Sequence, residues 1–245
     1  MRCRLLLMLF FLALPVAAQE VATAVVPAVG SVVGATMVRW RTDVEIVNDT
    51  GQDVTFAVEL PFSPELAEMA TTLARGQAVR YPDVAGQLFG LDHVLSPLVV
   101  RTFGRRSVSV RASVYAIREG GEPSPLEPLQ TFVGSPYYPI RVLDNLAFSE
   151  EYRTNIGLVN FSERDADFVL ALQRLPGRTI AVTPVRVGAG SMIHTSIQSL
   201  FPLISSGSGF SVVVETAVPE TYIYASVIES ANHAGRFVAP RVGLR

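Results

Sequence analysis

Two stretches of the chain carry the same chemically useful residues at the same spacing. Trp40-Arg41-Thr42-Asp43 runs through Val44 and Ile46 to Asn48. Tyr152-Arg153-Thr154-Asn155 runs through Ile156 and Leu158 to Asn160, at an offset of 112. Arginine presents a planar fork of donors suited to an anion. Trp40, the only tryptophan, could offer a flat face for a sugar ring. Asn48 and Asn160 each head an N-x-S/T triplet, which is a glycan acceptor in a eukaryotic secretory pathway and a turn former otherwise. Each residue also has a purely structural role open to it. Alternation along the strand puts Trp40 and Thr42 inward with Val44 and Ile46, and Arg41, Asp43 and Glu45 outward. An outward arginine can pair with an acid on the next strand and cover apolar surface with its stem. An inward Trp40 is a core aromatic. Recurrence of the motif is what a fold requirement would produce, so the structural roles are expected.

Other chemistry finds little support. The three histidines, His93, His194 and His233, form no H-x-x-x-H pair and share no position between the matching stretches. No His–carboxylate spacing suits a metal. Gly188-Ala189-Gly190-Ser191 is not a nucleophile elbow, and no P-loop or dinucleotide fingerprint is present. The chain is expected to be no enzyme and to need no cofactor, with no catalytic, cofactor-binding or metal residues.

The elements that position these residues repeat as well. Asp53 matches Asp165, Phe56 matches Phe168, Gly76 matches Gly188, and Leu88-Phe89 matches Leu200-Phe201. A colinear series of this length predicts an internal duplication, with copies over 25–134 and 137–245. A Gly- and Pro-rich stretch from Glu119 to Pro139 reads as the linker. Period-two alternation predicts strands at Val54–Leu60, around Phe168–Leu172, at Val108–Val114, and through Ser211–Thr216 and Thr221–Ile228. The turns at Asn48–Asp53 and Asn160–Asp165 read as hairpin connections. Ser63 and Pro64 predict a short helix to Ala74. Single helical turns are expected at Asp83–Phe89 and Ser196–Phe201. The fold class is therefore all-β: two tandem immunoglobulin-like antiparallel β-sandwich domains, with a small barrel as the alternative.

Composition agrees with a packed core. Hydrophobic residues make up 49% of the chain and charged residues 17%, which argues against disorder. Residues 1–18 read as a secretory signal peptide: basic Arg2 and Arg4, an apolar run from Leu5 to Leu14, then Pro15 and small residues up to Ala18. Its removal takes away the only cysteine, Cys3, so the exported chain is held by its core without disulfides. It also leaves 18 basic residues against 22 acidic ones, without the basic excess of a nucleic-acid binder. All basic residues are arginine, which suits a bacterial, GC-rich source. The protein is expected in the periplasm or outside the cell, with no membrane span after cleavage.

Over Trp40–Asn48 and Tyr152–Asn160 the chain resembles uncharacterised tandem β-sandwich repeat domains of secreted bacterial proteins. There an R-T-x-apolar-x-apolar-x-N pattern opens the sandwich and a Gly…Asp/Ser…Leu-Phe stretch follows, here Gly76…Asp83…Leu88-Phe89 and Gly188…Ser196…Leu200-Phe201. The resemblance implies an exported β domain and no activity. A second likeness, architectural only, is to periplasmic pilus chaperones, which donate a strand to their subunit. The expected function is binding, or a structural or surface role, with a protein or cell-envelope partner. The alternatives are a strand-donating assembly chaperone and a carbohydrate-binding module or hydrolase accessory.

Overall fold

The computed structural model describes residues 21–34, 37–63, 66, 69–104, 106–118, 120–133, 138–174 and 177–243. The stretch read as a signal peptide lies outside them. Among the described residues, no helix is long and apolar enough to cross a membrane.

The protein is all-β, built of antiparallel strands. The alternation seen in the sequence is also the burial pattern. Phe168, Leu170 and Leu172 are fully buried, while Asp167 before them and Val169 between them are exposed. This is how a strand with one face on a core must read.

The first half contains β1 (Val21–Val33), β2 (Arg39–Val47), β3 (Val54–Glu59), β4 (Met69–Leu73) and β5 (Ala78–Tyr81). After helix α1 (Val84–Phe89) come β6 (Val94–Phe103), β7 (Ser109–Ile117), β8 (Glu127–Leu129) and β9 (Phe132–Val133). The pairing order is β4-β3-β6-β1-β2-β7-β8, with β5 beside β2 and β9 beside β1. Strand β1 pairs with β6 over most of its length, shifts register between Val26 and Val29, and then joins β2 through Ser31–Val33. The bulge at Pro27 lets one long strand serve both layers.

The second half contains β10 (Ile140–Phe148), β11 (Tyr152–Asn160), β12 (Ala166–Arg174), β13 (Arg178–Val187) and β14 (Ser191–Ser196). After helix α2 (Ile197–Leu200) come β15 (Gly207–Glu215), β16 (Thr221–Glu229), β17 (Gly235–Val238) and β18 (Arg241–Val242). Here the layers are separate sheets, β13-β12-β15-β10-β18 and β14-β11-β16-β17. Apart from the β1–β2 pairing, which β10 and β11 lack, the pairings match those of the first half strand for strand. Phe148 and Phe210 stack at 4.8 Å inside this sandwich, among Leu143, Leu158, Phe168 and Ile223.

Three local expectations are corrected. The turns after Asn48 and Asn160 are not hairpins. Strand β2 pairs with β1, β5 and β7, and β3 pairs with β4 and β6; β11 and β12 are likewise unpaired with each other. With its edges already occupied, β2 hands the chain across to the opposite layer. Of the helix predicted from Pro64 to Ala74, residues 64, 65, 67 and 68 lie outside the described residues, and the later part is instead strand β4 over Met69–Leu73, where Thr72 and Thr55 bond side chain to side chain at 2.9 Å across the ladder. Its β-branched threonines favour that state. Finally, the Gly- and Pro-rich stretch read as linker supplies β8, which pairs with β7, and β9, which pairs with β1. The expected single turns are present as α1 and α2, capped by the side chains of Asp83 and Ser196.

Candidate binding site between the two halves

The ten residues of the recurring motif fall into three settings, with Thr42 belonging to two of them and Tyr152 to none. Asn48 and Asn160 are fully buried. Asn48 Nδ2 donates to the carbonyls of Gln52 and Leu73, and its Oδ1 accepts from the Thr50 amide and hydroxyl. Asn160 donates to the carbonyls of Arg164, Val187 and Gly188 and accepts twice from Ser162. These asparagines hold the inter-layer turns closed on themselves. Thr42 and Thr154 are also buried. Thr42 Oγ1 accepts from the Gly30 amide at 2.9 Å, and Thr154 donates to the Ala147 carbonyl. Both tie the strand that carries the motif arginine to the strand before it.

Arg41 and Asp43 form a charged cluster on the outer face of the first half. Arg41 Nε lies 2.8 Å from Asp83 and Arg41 Nη2 lies 3.4 Å from Asp92. Asp43 takes Arg80 Nη2 at 2.6 Å and the Asp83 amide at 3.0 Å. It is on the expected outer face, yet buried, because Arg80 and the start of α1 cover it. Burial and the nearby Asp43 carboxylate push the Tyr115 hydroxyl up. Burial also raises the Asp83 carboxyl, against the opposing pull of Arg41.

Trp40, Thr42, Arg153 and Asn155 come together. They line one cavity of about 350 Å³ between the halves. Trp40 is half-buried and outside the core; its indole lies over Gly34, where a Cβ would fall 2.9 Å from Nε1. At that height along β2 the inward side is no longer the first sandwich but the junction with the second. Gly235 of β17 closes on the six-membered ring. Gly30, Leu95 and Leu129 complete the first half's wall. Tyr152, beside Arg153, is exposed and takes no part.

The second half's wall is the outer face of β14-β11-β16-β17. Asn155 sits opposite Ser226, and Gly157 sits opposite both His194 and Tyr224. The Tyr224 ring stacks on Phe237 at 5.2 Å and on His194 at 5.7 Å. Its hydroxyl meets His194 Nδ1 at 2.9 Å. Burial, and then the Arg153 charge, lower the His194 imidazole to about 4, so it is neutral at ordinary pH. Burial pushes the Tyr224 hydroxyl up, and it stays protonated. Arg153 Nε donates to Asn155 Oδ1 at 3.2 Å, and Asn155 Nδ2 donates to Ser226 Oγ at 3.4 Å. A shallower polar groove shares Arg153, Asn155 and His194 with the cavity and continues it past Ser196 and Gln198.

An apolar contact beside the cavity holds the halves together. Val25 and Val99 of the first half meet Val159, Tyr222 and Tyr224 of the second. Phe62 packs on Phe161 at 5.4 Å, and Phe132 and Phe161 each approach Tyr222 at 5.3 Å. The geometry is tilted or edge-on, which aromatic quadrupoles favour.

No family model matches the chain, and no curated protein is similar to it. Solved structures give only distant likenesses. A Bacteroides uniformis β-glucuronidase 2 covalently bound to cyclophellitol-6-carboxylate aziridine is 10% identical over 83% of this chain, with a TM-score of 0.18. A second Bacteroides uniformis β-glucuronidase structure is 9% identical, with a TM-score of 0.19. The chain spans 25% of the length of those proteins. Likenesses this distant carry no argument about fold or activity.

Tyr224 and Ser226 carry no signal in the sequence beyond a strand-like run, and His194 enters it only as a histidine without a metal-ligand spacing. His194 bonds Tyr224 and, among the described residues, no serine or carboxylate, so it does not form a nucleophile–base pair. No group of three His, Cys, Asp or Glu side chains could hold a metal among the described residues. What the arrangement can do is enclose a small molecule against an apolar wall and hydrogen-bond it from a polar one.

Proposed function

We propose that this is an exported, non-enzymatic binding protein, working in the periplasm or outside the cell, made of two copies of one sandwich whose junction is the ligand site. The supporting observation is the cavity itself. It is within the size range of small-molecule sites, and it has the usual make-up of apolar walls with a few convergent polar groups. Both halves contribute to it, so the tandem arrangement has a use that one sandwich alone would lack. Strand donation to a subunit is less favoured. The outer strand β13 carries Pro184 within its ladder and the charges of Arg178 and Arg186, devices that discourage edge pairing.

The experiment is titration with the small, polarity-sensitive fluorescent reporter 1-naphthylamine. Saturable binding at one site is expected, and the variant Ser226→Phe, which fills the cavity, abolishes it while leaving the far-ultraviolet dichroism unchanged. Absence of saturable binding, or equal binding by the filled variant, overturns the reading.

A further inference from the structure

We infer that the cavity between the halves takes a small amphipathic monocarboxylate, its acid group held by Arg153 and Ser226 and its apolar body lying against Trp40, Leu95 and Phe237. The inference rests on the proposal that this cavity is the ligand site, and adds the chemistry of the ligand.

The first observation is a difference between two equivalent arginines. Arg41 and Arg153 occupy the same place in β2 and β11. Arg41 is neutralised by Asp83 at 2.8 Å and approached by Asp92. In the second half the residue capping the short helix is Ser196 instead of Asp83, and Asn155 stands where Asp43 stands in the first. Arg153 thus keeps the place of Arg41 with uncharged neighbours, and among the described residues it has no carboxylate partner.

The second observation is the direction of the hydrogen bonds. A guanidinium has only donors, so Asn155 must turn Oδ1 toward Arg153 and Nδ2 toward Ser226. Ser226 Oγ is then an acceptor, and its own hydrogen remains to be donated. The chain from Arg153 through Asn155 to Ser226 therefore ends in donors at both ends. His194 adds no charge, since burial keeps it neutral. The wall asks for an acceptor with negative charge.

The third observation concerns which donors are open, and the ligand's size. Arg236, the other cation lining the cavity, keeps its charge but is tied at Nη2 to the Asn145 carbonyl. Among the described residues Arg153 is tied only through Nε, so its two terminal nitrogens can meet a carboxylate side by side. A volume of about 350 Å³ holds on the order of ten non-hydrogen atoms at liquid-like packing. Medium-chain and aryl-alkanoic acids have that size and shape.

The test uses the intact protein and its own reporter, since the only tryptophan lines the cavity. Octanoate and octan-1-ol are titrated at neutral pH while Trp40 emission is followed. Octanoate is expected to bind saturably and at least about tenfold more tightly than octan-1-ol, the scale of a charge-assisted pair. Arg153→Gln should remove that preference and leave octan-1-ol binding within about twofold, with Ser226→Ala giving a smaller loss of the same kind. If both probes bind equally and neither substitution alters octanoate, the carboxylate assignment falls and the cavity remains a ligand site. If neither probe changes Trp40 emission, both readings fall.

Discussion

The ring of Tyr224 lies directly over Gly157: a Cβ on that glycine would sit 2.0 Å from the ring. In the first half the matching position in β2 is Glu45, which pairs with Arg111 at 3.2 Å. The bare backbone at Gly157 lets a fully buried tyrosine lie flat, with His194 on one side and Phe237 on the other. The polar wall of the cavity is built on this close approach.

Gly157→Ala should therefore displace Tyr224. The expected cost is about 1–3 kcal/mol, as for overpacking in a close-packed site. Denaturant unfolding measures it. The double variant G157A/Y224A should cost clearly less than the two single losses added together, because the clash is gone.

His194 predicts a pH dependence. Its folded-state value is lowered to about 4 from the ordinary 6.5. Between those values the unfolded chain binds a proton that the folded protein does not, so stability falls as pH drops from above 6.5 toward 4. The full effect is about 3 kcal/mol. His194→Phe should flatten this part of the stability profile. A two-dimensional NMR titration that finds His194 changing charge near 6.5 in the folded protein would contradict it.

The two inter-layer turns should prove equally sensitive. Asn160→Ala strands the Val187 carbonyl and the Ser162 amide in a buried place and the Arg164 carbonyl in a part-buried one. Asn48→Ala does the same around Gln52, Leu73 and Thr50. Each loss should be about 2–4 kcal/mol, read from shifts in the unfolding midpoint. A loss under about 0.5 kcal/mol, typical of a surface change, would show that the turns close without their asparagines.

Asp83 combines two roles that substitution can separate. It caps α1 from a left-handed backbone conformation, φ 46° and ψ 65°, and it pairs with Arg41. Asn tolerates that conformation and still caps, so Asp83→Asn should lose only the ion pair, at most about 1 kcal/mol, since the burial that raises the carboxyl offsets part of the attraction to Arg41. Asp83→Ala should lose about a further 1 kcal/mol with the cap. Thermal unfolding at low and high salt distinguishes the two, because only the ion-pair part is screened.

Much of the scaffold is legible in the chain. Alternation at Phe168, Leu170 and Leu172 locates a strand and its buried face, and Asp83 and Ser196 announce the short helical turns. The partners of each strand are less visible. Asn48 says that the chain turns, but whether β3 then lies beside β2 depends on which edges β5 and β7 have already filled. Parity along β2 sends Trp40 inward; what lies inward there is the cavity, because the second half, not the first core, stands opposite. Tyr224 is one aromatic among several in a strand-like run. The clue to it was Gly157, a glycine in mid-strand, which often marks a close approach.

The charged face of the first half has a consequence for assembly. The second half offers the outer face of β14-β11-β16-β17 to the first half's β1 and β6. The matching face of the first half, around β2, carries Arg41, Asp43, Glu45, Arg80 and Arg111. Another molecule that tried to seat its own β1 face there would bury these groups beneath valines and aromatics. A head-to-tail contact that could repeat would build a fibre. The charges around β2 work against such a contact, because the exposed arginines and carboxylates among them would lose their water on burial.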